Sequence, residues 1–222
     1  MAVALHPPQI VYPNSDGEPM ADNTVQFRWI VTLQGNLDAL FADNPNVFVA
    51  GDLLWYPVEG DNQTRVAPDV LVAFGRPRGE RGSYRQWEEN GIAPQVVFEI
   101  LSPGNRLGEM LRKRDFYERF GVEEYYVYSP ERFDLTGLLR QGNALTVVEN
   151  MNGFVSPRLG IRFETLENNG MRVFYPSGEP FATFAEIAAS RSAERTARQQ
   201  AERERDRLAA QLRELGIDPK EE

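Results

Sequence analysis

The sequence predicts a mixed α/β (α+β) fold with a long helix appended at its C-terminal end. Three observations carry that expectation. Val70–Phe74 and Gln95–Leu101 are near-continuous apolar runs, the pattern of strands buried on both faces of a sheet. Helical periodicity alternates with these strands along the chain. From Phe181 onward the composition shifts to Ala, Glu, Arg, Gln and Leu, with neither Gly nor Pro between residues 186 and 215. Residues 1–20 read as an extended, proline-rich arm, 21–180 as the globular domain and 181–222 as a charged helix.

The elements follow in order. Asp22 or Asn23 can cap a helix whose apolar stripe is Val25, Trp29, Leu33, Leu37 and Leu40. Asn44-Pro45-Asn46 ends it. Val47–Ala50 begins a strand expected to continue through Leu53–Tyr56 after a break at Gly51. Residues 75–94 form a Gly- and Arg-rich loop whose glycines do not match a phosphate-cradling turn, and a solvated surface loop is the expectation there. Ser102-Pro103-Gly104-Asn105 turns into a helix over Leu107–Phe120, closed by Gly121. Further strands are expected at 124–128, 135–140 and 145–149, with Gly142-Asn143 as a hairpin turn. In the last helix, Ala193, Ala197, Ala201, Leu208, Leu212 and Leu215 form a thin seam. A short coiled coil and a solvated helix rich in charge pairs fit that seam about equally.

The composition excludes several kinds of chemistry. There is no cysteine, which removes disulfides, thiolate nucleophiles and Cys-based zinc sites. The single histidine, His6, lies in the proline-flanked arm, which argues against a Ser–His–Asp triad. No stretch is apolar enough to span a membrane, no secretory leader is evident, and a cytoplasmic location is the expectation. The formal charge of −9 weighs against a protein coated in duplex DNA. Basic residues do cluster locally, at Arg76, Arg78, Arg81 and Arg85 and again from Arg106 to Arg119.

Two acids stand out against apolar strands: Asp69 at the mouth of one and Glu99 inside Val97-Phe98-Glu99-Ile100-Leu101. Buried carboxylates are rare unless paired or bound to a cation. If the two strands pair, both acids converge on one side of the sheet as candidate metal ligands. A hard cation such as Mg²⁺ or Mn²⁺ takes oxygen ligands, keeps waters for a phosphate, and generates a nucleophile without histidine. Lys113, one helix downstream, is placed to stabilise charge on the phosphate.

These residues resemble the PD-(D/E)XK nuclease superfamily, and within it the bacterial restriction endonuclease family once catalogued as a domain of unknown function. The resemblance rests on Pro68-Asp69-Val70, Phe98-Glu99-Ile100-Leu101-Ser102-Pro103 and Lys113…Tyr117…Gly121-Val122-Glu123-Glu124-Tyr125, over about residues 16–165. It implies a restriction-endonuclease-like core, a mixed β-sheet flanked by helices. It also implies a metal-dependent endonuclease acting on DNA phosphodiesters, with Asp69, Glu99 and Lys113 as catalytic residues and Mg²⁺ (or Mn²⁺) as cofactor. The superfamily's lysine stands two residues after the second acid; here that position is Leu101, which moves the role to Lys113. A further acid from the first helix is common in the superfamily. Asp22, Asp38 and Glu18 are the candidates, with Asp52 beside Gly51 as another.

Each assignment has a plainer counterpart. Glu99 could hold an arginine, Lys113 could lie on a solvated face, and Ser102 fits a turn or cap. Tyr117 and Tyr125 read as core aromatics with satisfied hydroxyls, Trp55 and Trp87 as packing anchors. A second class of function is a weak or inactive nuclease fold that binds a partner through its C-terminal helix. Double-strand cutting would favour a homodimer.

Overall fold

The computed structural model describes residues 10–166 and 170–215. His6 lies outside them. The first helix, α1 (Thr24–Leu40), starts where Asn23 accepts hydrogen bonds from the backbone N–H of Val25 and Gln26. Its buried face carries Ile30, Leu33 and Leu37. Strands β1 (Val47–Gly51), β2 (Trp55–Tyr56), β3 (Val70–Phe74), β4 (Tyr84–Arg85) and β5 (Val96–Ile100) precede α2 (Leu107–Phe120). Then come β6 (Glu124–Ser129), β7 (Asp134–Gln141), β8 (Ala144–Val147), β9 (Arg162–Leu166), β10 (Gly170–Phe174) and α3 (Phe184–Glu214).

Six strands form one mixed sheet in the order β1-β3-β5-β6-β7-β8. Only the β5–β6 pair is parallel, and α2 supplies its crossover. Side chains alternate across the sheet. Val70, Val72, Val96 and Phe98 face Ile30, Leu33 and Leu37 of α1 and Phe163, Met171 and Val173 of the β9–β10 hairpin. Leu71, Ala73 and Val97 face Tyr117 and Val122, with Trp55 and Tyr84. Burying one such side chain contributes about 1.5–3 kcal/mol, and both faces are covered, which is why the central strands are apolar without alternation. Gly121 ends α2 in the left-handed region (φ 95°), where a side chain would be strained.

Two expectations change. The strand starting at Val47 does not run on to Tyr56: Asp52 takes φ 48°, and Trp55–Tyr56 leave the sheet to pair with Tyr84–Arg85. Residues 75–94 are not simply solvated, since Tyr84 and Glu89 are buried there. Arg76 and Arg81 both pair with Glu89, at 2.8 and 2.6 Å. Arg78 reaches Asp38 and the carbonyls of Asp38 and Phe41, and Arg85 pairs with Glu88. The loop is an internally paired cross-brace, and its positive charge is largely spent within the chain.

Part of the arm is docked. Tyr12 packs on Tyr56 and Trp87, and Tyr56 donates to the Pro13 carbonyl at 2.7 Å. Contacts divide the chain into two compact units, one ending at Phe181 and the other starting at Ala182. The capping box of Thr183 and Glu186 opens α3 at that junction, and α3 buries none of its described side chains. Among the described residues no helix is long and apolar enough to cross a membrane.

Glu124 is the main polar joint of the far half of the sheet. It is buried and accepts hydrogen bonds from Tyr126 Oη (2.8 Å), the Arg158 backbone N–H (2.6 Å) and Ser156 Oγ, tying the segment before β9 onto β6. Glu124→Ala strands these donors and is expected to cost about 2–4 kcal/mol, read as a lower urea midpoint at unchanged slope. A loss under about 0.5 kcal/mol would show that the joint is not structural.

Candidate active site

The site is built by strand register. The antiparallel pairing of β3 with β5 sets Val70 opposite Phe98, so one further step sets Asp69 opposite Glu99. Directly opposed residues share a face, and alternation turns both acids toward α2. Both are buried, Asp69 at 8% and Glu99 at 3% exposure. Asp69 Oδ2 accepts the Ile100 backbone N–H at 2.5 Å, while Oδ1 accepts no hydrogen bond among the described residues.

Helix α2 supplies the positive charge. Lys113 and Tyr117 are one turn apart and therefore project together. Lys113 Nζ lies 2.7 Å from Glu99 Oε2, and Tyr117 Oη donates to Glu99 Oε1. Each oxygen of Glu99 thus has a partner from the same helix face. Lys113 is pulled down by burial but raised overall by the charge and hydrogen bond of Glu99, so it stays an ammonium. Burial and the Glu99 charge push the Tyr117 hydroxyl well up, keeping it a neutral donor.

Asp69 is the strained member. Burial, reinforced by the like charge of Glu99, pushes its carboxyl up to about 8, against the Ile100 hydrogen bond and Lys113. Tyr125 adds a second anomaly. Its hydroxyl is buried without a hydrogen-bond partner among the described residues, so the expectation of a satisfied hydroxyl fails there. Burial, then Glu99 and Asp69, raise it too, which places an orphaned donor in the field of both carboxylates.

The other predicted acids divide. Asp52 hydrogen-bonds through its backbone N–H to the Asp69 carbonyl at 3.2 Å. Its carboxyl is raised by burial and by Asp16 and lowered by Lys113, so its charge reaches the site. Asp22 accepts from Ser102 Oγ and holds the turn after β5; Ser102 thereby serves that turn. Asp38 is committed to Arg78 near the far end of α1. Glu18 is exposed in the arm, its backbone N–H bonded to Asp16. The α1 residue that does reach the site was not expected. Gln26, buried, donates from Nε2 to the Ile100 carbonyl at 2.8 Å and accepts the Asp22 N–H at 2.8 Å. An uncharged Gln one turn into a helix carries no mark distinguishing it from a surface residue, and Asp16, on the docked arm, was equally unmarked.

The donor set suits a hard divalent cation in part. Two opposed carboxylates, one destabilised by the other, offer oxygen ligands whose repulsion a cation would relieve. Among the described residues no group of three or more His, Cys, Asp or Glu side chains gathers as a metal cluster, so further ligands to a cation at Asp69 and Glu99 would be backbone carbonyls, water or phosphate oxygens.

A family model described as Uma2, putative restriction endonuclease, matches residues 15–165, more than two thirds of the 222-residue chain. No curated protein matches the chain. One solved structure that resembles it is described as a putative nuclease belonging to DUF820 from Anabaena variabilis. That likeness has 15% identity and a TM-score of 0.46, over 63% of this chain and 74% of that one.

The raised carboxyl of Asp69 has a sign that can be tested. Its proton is held more tightly in the folded state, so without divalent cation its contribution to stability is fully present in acid and is lost as pH rises from about 4 to about 8. Asp69→Asn is expected to flatten that fall in urea midpoints measured across this range; an unchanged slope would mean that Asp69 does not carry the proton.

Proposed function

The chain belongs to the Uma2 family, and from that premise we propose that it is a metal-dependent endonuclease hydrolysing DNA phosphodiester bonds. The observation that carries the reading is the opposition of buried Asp69 and Glu99, with Lys113 on Glu99. In this reading Asp69 and Glu99 hold Mg²⁺ or Mn²⁺, which supplies Lewis-acid activation of phosphate and of a water.

The chain's own groups have defined work. Tyr117 fixes Glu99 Oε1 and so sets the rotation of the carboxylate plane. The Ile100 N–H holds Asp69 Oδ2 and leaves Oδ1 for a ligand. Gln26 orients the Ile100 carbonyl beside them. Lys113, already charged, stabilises negative charge growing on a phosphoryl oxygen, and it can swing from Glu99 to phosphate because its side chain retains 21% exposure. The reaction adds water across the P–O bond: the water oxygen bonds to phosphorus and gives a proton up to solvent, while the 3′ or 5′ oxygen leaves with the bonding pair and takes up a proton from solvent to become a hydroxyl.

A second reading, a nuclease fold that binds without cutting, has one observation in its favour. Arginines 76, 78, 81 and 85 are paired within the chain, and the net charge is −9, so little free basic surface is offered to a duplex by that loop.

Nicking of supercoiled plasmid in Mg²⁺ or Mn²⁺ decides between them. The endonuclease reading expects cleavage by wild type, and a loss of about 100-fold or more in Glu99→Ala and in Lys113→Met. Folded wild type that cuts no plasmid, single strand or RNA in either metal favours the binding reading.

A further inference from the structure

We infer that α3 is an antiparallel self-association helix whose partner is α3 of a second copy of this chain. The inference stands apart from the nuclease reading and uses none of its residues. Among the described residues of this unit, the five large apolar side chains from Phe184 to Leu215 are unburied: Phe184, Ile187, Leu208, Leu212 and Leu215, between 36% and 81% exposed. In one heptad frame every one of them falls on a or d. The a positions are 184, 191, 198, 205 and 212; the d positions are 187, 194, 201, 208 and 215. A shallow groove along the helix, lined by Ala201, Glu204, Arg205, Leu208, Ala209 and Leu212, follows the C-terminal half of this face.

Charge selects the direction of pairing. In a parallel, in-register pair each residue meets itself, so Arg191, Arg198 and Arg205 would stack on their own copies at a, and Glu194 on its own at d. Four like-charged layers out of ten oppose that arrangement. In an antiparallel pair each a layer meets a d layer, and residues whose numbers sum to 399 face each other. Phe184 then meets Leu215 and Ile187 meets Leu212, sealing both ends with apolar layers. Arg191 lays its stem over Leu208, and Arg198 over the small Ala201. The one acid at d, Glu194, meets Arg205.

The flanking positions agree. Arg195 faces Glu202 across the e edge, and Ala188 faces Ala209. On the g edge Ala197 faces Glu204 and Ser190 faces Gln211. No layer or edge pair sets like charges together, and the register uses the helix along its whole length. A two-fold axis requires that when i touches j, j also touches i, and this sequence satisfies that condition at every layer.

The absence of cysteine makes the test direct. Full-length chains carrying Phe184→Cys or Leu215→Cys are oxidised separately and as a mixture, and wild type is run by sedimentation equilibrium. The antiparallel pair predicts dimer mass for wild type, a mixed disulfide when the two variants are combined, and little disulfide from either alone. Leu215→Cys dimers formed alone would overturn the direction. Single-chain mass at about 100 µM would overturn the association itself. In an independent arm, Glu194→Arg and Arg205→Glu should each weaken the dimer about tenfold, and the double exchange should recover it. Failure of the double exchange to recover the dimer would refute the register.

Discussion

Everything at the site depends on one strand register. Once β3 lies antiparallel to β5 with Val70 against Phe98, Asp69 must sit against Glu99. A slip of one residue would flip one strand's side chains to the opposite face, forcing two filled layers to repack and carrying an acid away from the α2 face, so packing on both faces enforces the pairing. The sheet therefore spends core stability on holding two carboxylates together away from water. Lys113 and Tyr117 relieve Glu99, and what remains uncompensated falls on Asp69. Unrelieved negative potential on two buried, opposed carboxylates is the arrangement a hard cation fits.

The rest of the charge distribution works in the opposite direction. Arginines that look in the sequence like a basic patch are braces: Arg76 and Arg81 on Glu89, Arg78 on the end of α1, Arg140 on the carbonyls that close α2. They hold loops against the sheet and cap helix ends, a role suited to bidentate guanidinium groups. A nucleic acid approaching this protein would meet few free cations from the 75–94 loop.

Local signals were legible wherever the chain decides structure by itself. Asn23 as a cap, Gly121 closing α2, and the Gly142-Asn143 hairpin between β7 and β8 all stand where the sequence puts them, whereas the α1 stripe holds at Leu33 and Leu37 but leaves Val25 exposed and buries Ile30 instead. The two acids in apolar strands were also readable, because an acid in such a run demands an explanation. What failed needed knowledge of distant partners. Nothing local to Trp55-Tyr56 says they pair with Tyr84-Arg85, 29 residues on in register. Glu89 looks like one more surface acid until two arginines close on it. Gln26 and Tyr125 gain meaning only from the neighbours that folding brings, the Ile100 carbonyl for one and the two carboxylates for the other. The heptad of α3 was half visible: its Ala–Leu seam is apparent, but the frame that gathers Phe184 and Ile187 with Leu208, Leu212 and Leu215 emerges once these five are seen to be unburied.

The proposed divalent cation site at Asp69 and Glu99 can be read from the heat of metal binding. Isothermal titration of Mg²⁺ or Mn²⁺ at about pH 7, in two buffers of different ionisation enthalpy, tests it most directly. With the Asp69 carboxyl raised to about 8, cation binding must displace a proton, so the apparent heat should differ between buffers. Wild type is predicted to bind at millimolar concentration or tighter with that proton release, and Asp69→Asn and Glu99→Gln each to weaken binding at least about tenfold. Binding that neither substitution disturbs, or no binding at millimolar metal by folded protein, would contradict the account.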